Sequence, residues 1–126
     1  MVEIIEALRP QPGESVVVKS LPNAFAKTDL HDRLAATGRR ELILAGFMTH
    51  MCVSATARAA LDLGYRNTVV ANATATRDLP DPLGGAVAAE VVKRAALAML
   101  ADRFAIVVPD SAALAAAQPA PAPTVI

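Results

Sequence analysis

The chain has 126 residues, 54% apolar and 3% aromatic with no Trp, and its 12 Lys and Arg balance 12 Asp and Glu. That length suits one domain with a core of Ala, Val, Leu and Ile, while a zero formal net charge with no run of like charge excludes the footprint of a nucleic-acid binder. Apolar stretches are cut by charges well short of the roughly 18 to 20 residues that cross a bilayer, and no signal peptide is visible, so a cytoplasmic protein without membrane contact is expected.

Residues 2–8 have the spacing of a short amphipathic helix, stopped by Pro10, Pro12 and Gly13. Residues 15–19 (Ser-Val-Val-Val-Lys) form a compact β-branched run, which predicts a strand buried on both faces with Lys19 at its C-terminal end. Thr28 can cap a helix over 29–37, which Gly38 ends. Residues 41–45 (ELILA) predict a second buried strand, and 46–51 a turn into a helix from about Cys52 to Leu63, ended by Gly64. A third strand is expected over 67–71, then an irregular loop over 74–85 with Pro80, Pro82 and paired glycines, in which Asp78 and Asp81 read as turn formers. An Ala-rich helix over 86–103 and a strand over 104–108 follow. From residue 112 the Ala/Pro/Gln composition cannot build a core, so 1–111 reads as the domain and 112–126 as a frayed helix leading into a disordered tail.

Strands alternating with helices predict an α/β fold in three layers, a mostly parallel sheet with helices on both faces. Chemistry in such folds gathers at the C-terminal ends of strands, where Lys19 and the GFMTHMC turn both fall. A single Cys makes no internal disulfide, so Cys52 is a buried apolar residue, a reactive thiol or a stray. At a helix mouth, unpaired amides and the helix dipole favour a thiolate and could also hold an oxyanion. The commoner fate of a lone intracellular Cys is simple burial, and a strand-end Lys usually only reaches solvent. Two isolated histidines make no metal site: His31 reads as part of a solvated helix face, whereas His50, two residues before the thiol, is open to substrate contact. No phosphate-cradling glycine loop is present, which disfavours a nucleotide-binding module, and no cofactor is expected.

The stretch LILAGFMTHMCVSATARAALDLGYRNTVVANATATRDLPD, with VVVKSLPNAFAKTDL upstream, resembles the central motifs of the isochorismatase-like cysteine hydrolases, over residues 14–108. The resemblance implies Cys52 as nucleophile and Lys19 as the cation of the ionised site. It implies the backbone N–H groups of Met48 and Cys52 as oxyanion donors, a non-proline cis peptide at Phe47-Met48, and substrate contacts from Phe25, Phe47, Thr49 and His50 with the loop from Asn72 to Arg77. The reaction implied is hydrolysis of a C–N bond in a small amide through a thioester, in an oligomer whose neighbouring subunit helps to line the pocket; the family's namesake instead cleaves a vinyl ether.

Two departures stand out. Family chains begin with a strand ending in a catalytic aspartate, and a second strand follows before the lysine segment. Here the only acids before Lys19 are Glu3, Glu6 and Glu14. An N-terminally truncated member is therefore expected, with impaired activity, no assignable metal and a sheet left open between the 15–19 segment and the 41–45 strand. A non-catalytic protein that keeps the fold and oligomerises is the alternative from another class.

Overall fold

A computed structural model of the chain describes residues 3–116. Its centre is a parallel sheet of order β1-β2-β5, formed by β1 (Glu41–Phe47), β2 (Arg66–Ala75) and β5 (Ile106–Val108). The helices are α1 (Leu30–Ala36), α2 (Ser54–Asp62) and α3 (Ala89–Arg103), with a π-helical turn, Thr49–Val53, leading into α2. The fold is α/β, as the alternation of elements predicts.

Register explains where the core sits. Leu44 pairs with Val69 and Val69 with Val107, so these three side chains share one face. There they meet Val53, Ala57 of α2 and Leu100 of α3, with Leu97 and Phe104 packed alongside. Ala57 and Ala60 are fully covered, which lets α2 approach the sheet closely in the absence of bulky aromatics. Asn67, buried at the start of β2, donates to the carbonyls of Ala57 at 2.9 Å and Phe104 at 3.1 Å. It thereby ties α2 and the approach to β5 to the central strand.

The opposite parity, Ile43-Thr68-Ile106, is much barer. The 3-10 turn Ser111–Ala116 packs on β5, but Ile43 remains 64% exposed. The expectation of a 41–45 strand buried on both faces is thus corrected, because β1 alternates between half-buried and exposed positions. Among the described residues β1 is also an edge of the sheet, pairing with β2 alone.

The expected strand over 15–19 does not form. That segment is irregular, with Val16 50% and Val18 68% exposed. A β-branched run becomes a strand only when a neighbour completes its ladder, and no described strand lies beside it. The first expected helix shrinks to the 3-10 turn Glu6–Leu8, part of its predicted span falling on undescribed residues.

The 74–85 segment is more ordered than expected: β2 runs to Ala75, and β3 (Leu79–Pro80) pairs antiparallel with β4 (Ala86–Val87). α3 consequently starts at Ala89 rather than 86. Asp81 is a turn former, accepting the Leu83 N–H at 2.8 Å, but Asp78 caps α3 by accepting the Ala89 N–H at 2.7 Å. Thr28 does serve the start of α1, where its hydroxyl accepts the Leu30 N–H at 3.3 Å. Of the expected tail, 112–116 lie in the last 3-10 turn, and the disorder expected beyond falls outside the described residues. Among the described residues no helix is long and apolar enough to cross a membrane.

Candidate active site

β1 ends on Gly46 and Phe47, and the chain then turns sharply into the helix that carries the thiol. Gly46 has φ +118, a region costly for any side chain, and the ladder to β2 shifts register between Leu44 and Gly46. The Phe47-Met48 peptide is cis, as the family resemblance implies. The Met48 carbonyl then accepts the N–H groups of Met51 at 3.0 Å and Val53 at 3.2 Å. The second of these is an i to i−5 bond, which widens the first turn into a π turn. Cys52 was expected to open the helix; it is instead the fourth residue of that turn, and Thr49 opens it.

The lysine arrives from the other side. Lys19 Nζ lies 3.3 Å from Cys52 Sγ and donates to the Leu21 carbonyl at 3.0 Å. Cys52 is half-buried and makes no disulfide. The two flank a cleft of about 280 Å³ whose walls are Ala24, Leu30, Leu44, Ala45, Phe47, Val53 and Thr56. These neighbours are apolar apart from Thr56, and no carboxylate is among them. A larger groove of about 970 Å³ opens at the N-terminal ends of the strands, near Arg39, Arg66 and Arg103, away from the thiol.

The remaining site expectations divide. Phe47 lines the cleft and is 64% exposed. His50 is half-buried, its Nδ1 2.6 Å from Thr76 Oγ1 just past the end of β2. Phe25 is not brought to the cleft: its ring stacks on Tyr65 at 5.9 Å, at the far end of α2. His31 is not on a solvated face, since its Nδ1 lies 3.0 Å from the Tyr65 hydroxyl. Asn72 belongs to β2 and donates to the Pro109 carbonyl at 3.1 Å, and Arg77 is exposed; neither lines the cleft. Among the described residues no group of three or more His, Cys, Asp or Glu could hold a metal ion.

Thr49 is wholly buried, and its hydroxyl has no hydrogen-bond partner among the described residues. An unpaired buried hydroxyl costs about 1–3 kcal/mol. Thr49→Val, similar in shape, is therefore expected to leave unfolding stability unchanged or raise it by about 1 kcal/mol, read as the urea midpoint. A clear loss would mean that the hydroxyl has a partner in solution. Sequence reading missed one polar residue of the cleft, Thr56, and one of the core, Asn67. Asn67 gave no signal, but Thr56 lies four residues after Cys52 and so falls on the same helix face, a spacing that could have revealed it.

Comparison with known proteins agrees with this fold. The Isochorismatase domain profile matches residues 1–111. The chain is 41% identical over 108 residues to a secreted isochorismatase effector of Verticillium dahliae, covering 86% of this chain and 54% of the relative. The crystal structure of an isochorismatase from Pseudomonas putida superposes with a TM-score of 0.82 at 45% identity, covering 85% of this chain and 55% of that one. A cysteine hydrolase from Pseudomonas syringae superposes with a TM-score of 0.81 at 36% identity, covering 84% and 50%. The chain belongs to the isochorismatase family of hydrolases, which includes proteins named cysteine hydrolase and ureidoacrylate amidohydrolase. It spans about half the length of the curated relatives it matches.

Proposed function

We propose that this chain carries the thiol half of a cysteine hydrolase acting on a C–N bond of a small amide. The observation that carries this reading is the ammonium of Lys19 at 3.3 Å from the sulfur of Cys52, beside an open cleft. The ammonium is placed to pair with the sulfur in its anionic form, which is the nucleophilic one. The thiolate attacks the carbonyl carbon, and the oxyanion is held by the N–H groups of Met48 and Cys52. The C–N bond then breaks, the amine leaves with a proton, and a thioester remains on Cys52. Water hydrolyses it to the carboxylic acid and the free thiol. Phe47 walls the cleft, whereas Thr49 and His50, expected to touch substrate, stand in the turn that carries the thiol and not among the cleft walls. The amidohydrolase relatives support a C–N bond over the vinyl ether of the family's namesake.

Among the described residues no carboxylate lines the cleft to deprotonate the thiol and activate water. Such a base is typically worth about a hundredfold to ten-thousandfold, so turnover is impaired in this chain and a thioester, once formed, is hydrolysed slowly. The same observation favours the second reading, a non-catalytic homo-oligomer that keeps the fold. We place the protein in the cytoplasm, although one relative is secreted. Intact-mass spectrometry after acid quench, across a panel of small amides and their more reactive esters, decides between the readings. The expected result is an acyl adduct on the wild type that is absent from Cys52→Ser. A Cys52 that alkylates normally yet acquires no acyl group from any member would leave the non-catalytic reading standing.

A further inference from the structure

The segment bearing Lys19 lacks a strand partner, so something other than a β-ladder must hold the ammonium against the sulfur. Val16 and Val18 are largely exposed, and Lys19 itself lies on the surface. The nearest fixed point downstream is Ala24, whose N–H donates to Thr56 Oγ1 at 3.1 Å. Thr56 stands four residues after Cys52 in the same helical run, and both line the cleft. On its other side Ala24 is pinned through its carbonyl, which accepts the Thr28 hydroxyl at 2.6 Å. Thr28 in turn accepts the Leu30 N–H of α1 at 3.3 Å. One relay of hydrogen bonds thus joins the helix of the nucleophile, the lysine loop and the start of α1.

We infer that Thr56 is a positioning residue for the nucleophile. Its hydroxyl anchors the Lys19 loop to α2 one turn below Cys52, and so sets the approach of the ammonium to the thiol. The inference rests on the proposed pairing of Lys19 with Cys52, but it makes a separate claim about what creates that pairing. If the anchor is lost, residues 19–24 keep no described hydrogen bond to α2, and the Lys19 contact is their one described hydrogen bond to the turn that carries Cys52. Released, that loop would spread its long lysine over many rotamers at an entropic gain, and the contact would be occupied for less of the time.

The test compares iodoacetamide labelling rates of the single Cys, at neutral pH, in the wild type, Lys19→Met, Thr56→Val, Thr56→Ala, Thr56→Ser and the Lys19→Met/Thr56→Val double variant. The ultraviolet absorbance of the thiolate is the parallel readout. Thr56→Val and Thr56→Ala should each slow labelling by about twofold or more, as expected for loss of one hydrogen bond, but by no more than Lys19→Met does. Thr56→Ser should restore the rate, and Thr56→Val should add nothing once Lys19 is gone, because the hydroxyl acts through the lysine. If Lys19→Met slows labelling but Thr56→Val and Thr56→Ala do not, the anchor is refuted and the lysine reading survives. If Thr56→Val slows labelling equally in the Lys19→Met background, Thr56 is only a structural residue of α2 and the inference fails. If Lys19→Met itself labels at the wild-type rate, the reading beneath the inference falls.

Discussion

Leu100→Ala is expected to lower the unfolding free energy by about 2–5 kcal/mol, enough to bring a domain of ordinary stability close to unfolding. Leu100 is wholly covered and lies in the cluster with Val53, Ala57 and Val69, between α3, α2 and the central strand. Truncation removes the transfer free energy of the lost methyl groups and leaves a cavity that the sheet behind it cannot collapse into. Backbone bonds from Phe104 and Ala105 to the Leu100 carbonyl, which close the end of α3, remain intact in the variant, so the loss reports packing alone. Met99, the neighbour on the outward face, is 55% exposed, and Met99→Ala should stay within about 0.5 kcal/mol. Urea unfolding followed by circular dichroism measures both. Equal effects in the two variants would mean that α3 does not pack as described.

Much of this architecture was legible because local pattern and tertiary demand agree. Glycines at 38 and 64 end α1 and α2, both with positive φ, and the runs ELILA, NTVVA and FAIVV became the three parallel strands. The failures have one physical origin: a sequence run carries propensity, but not its partners. Residues 15–19 have as strong a strand pattern as any in the chain, yet without a neighbouring strand they stay irregular. Residues 41–45 read as doubly buried because apolar side chains fill both parities, and only the layer above decides which parity is covered. Asp78 looked like a turn residue because its capping target, the Ala89 N–H, lies eleven residues away. His31 looked solvated because nothing in the α1 pattern announces Tyr65, thirty-four residues on.

The site was legible to a different degree. Position alone put Cys52 near a helix mouth and Lys19 at an expected strand end, and neither required the other. Resemblance joined them, and the structure brings the two side chains together across 33 positions of sequence. The contact forms even though the expected strand does not, because loop and helix contacts replace the ladder that would have aimed the lysine. Phe25 shows the converse: its place near the lysine in sequence suggested the pocket, but one residue of chain turns its ring down α2 onto Tyr65.

Lys19→Met is expected to slow iodoacetamide labelling of Cys52 about five- to tenfold at neutral pH, since two unit charges 3.3 Å apart, screened as in bulk water, attract by about that factor. The bulk-water limit is the appropriate one because the Lys19 side chain is exposed, and the effect should shrink as salt is raised. Met keeps most of the length and apolar stem of Lys, so the cleft wall is preserved while the charge is removed. Lys19→Arg separates charge from geometry: it retains the cation, but its planar fork cannot reproduce a compact ammonium shared between the sulfur and the Leu21 carbonyl. An intermediate rate is therefore expected for Lys19→Arg. A wild-type rate in Lys19→Met at low salt would show that the ammonium does not act on the sulfur, and the case for a prepared nucleophile would go with it.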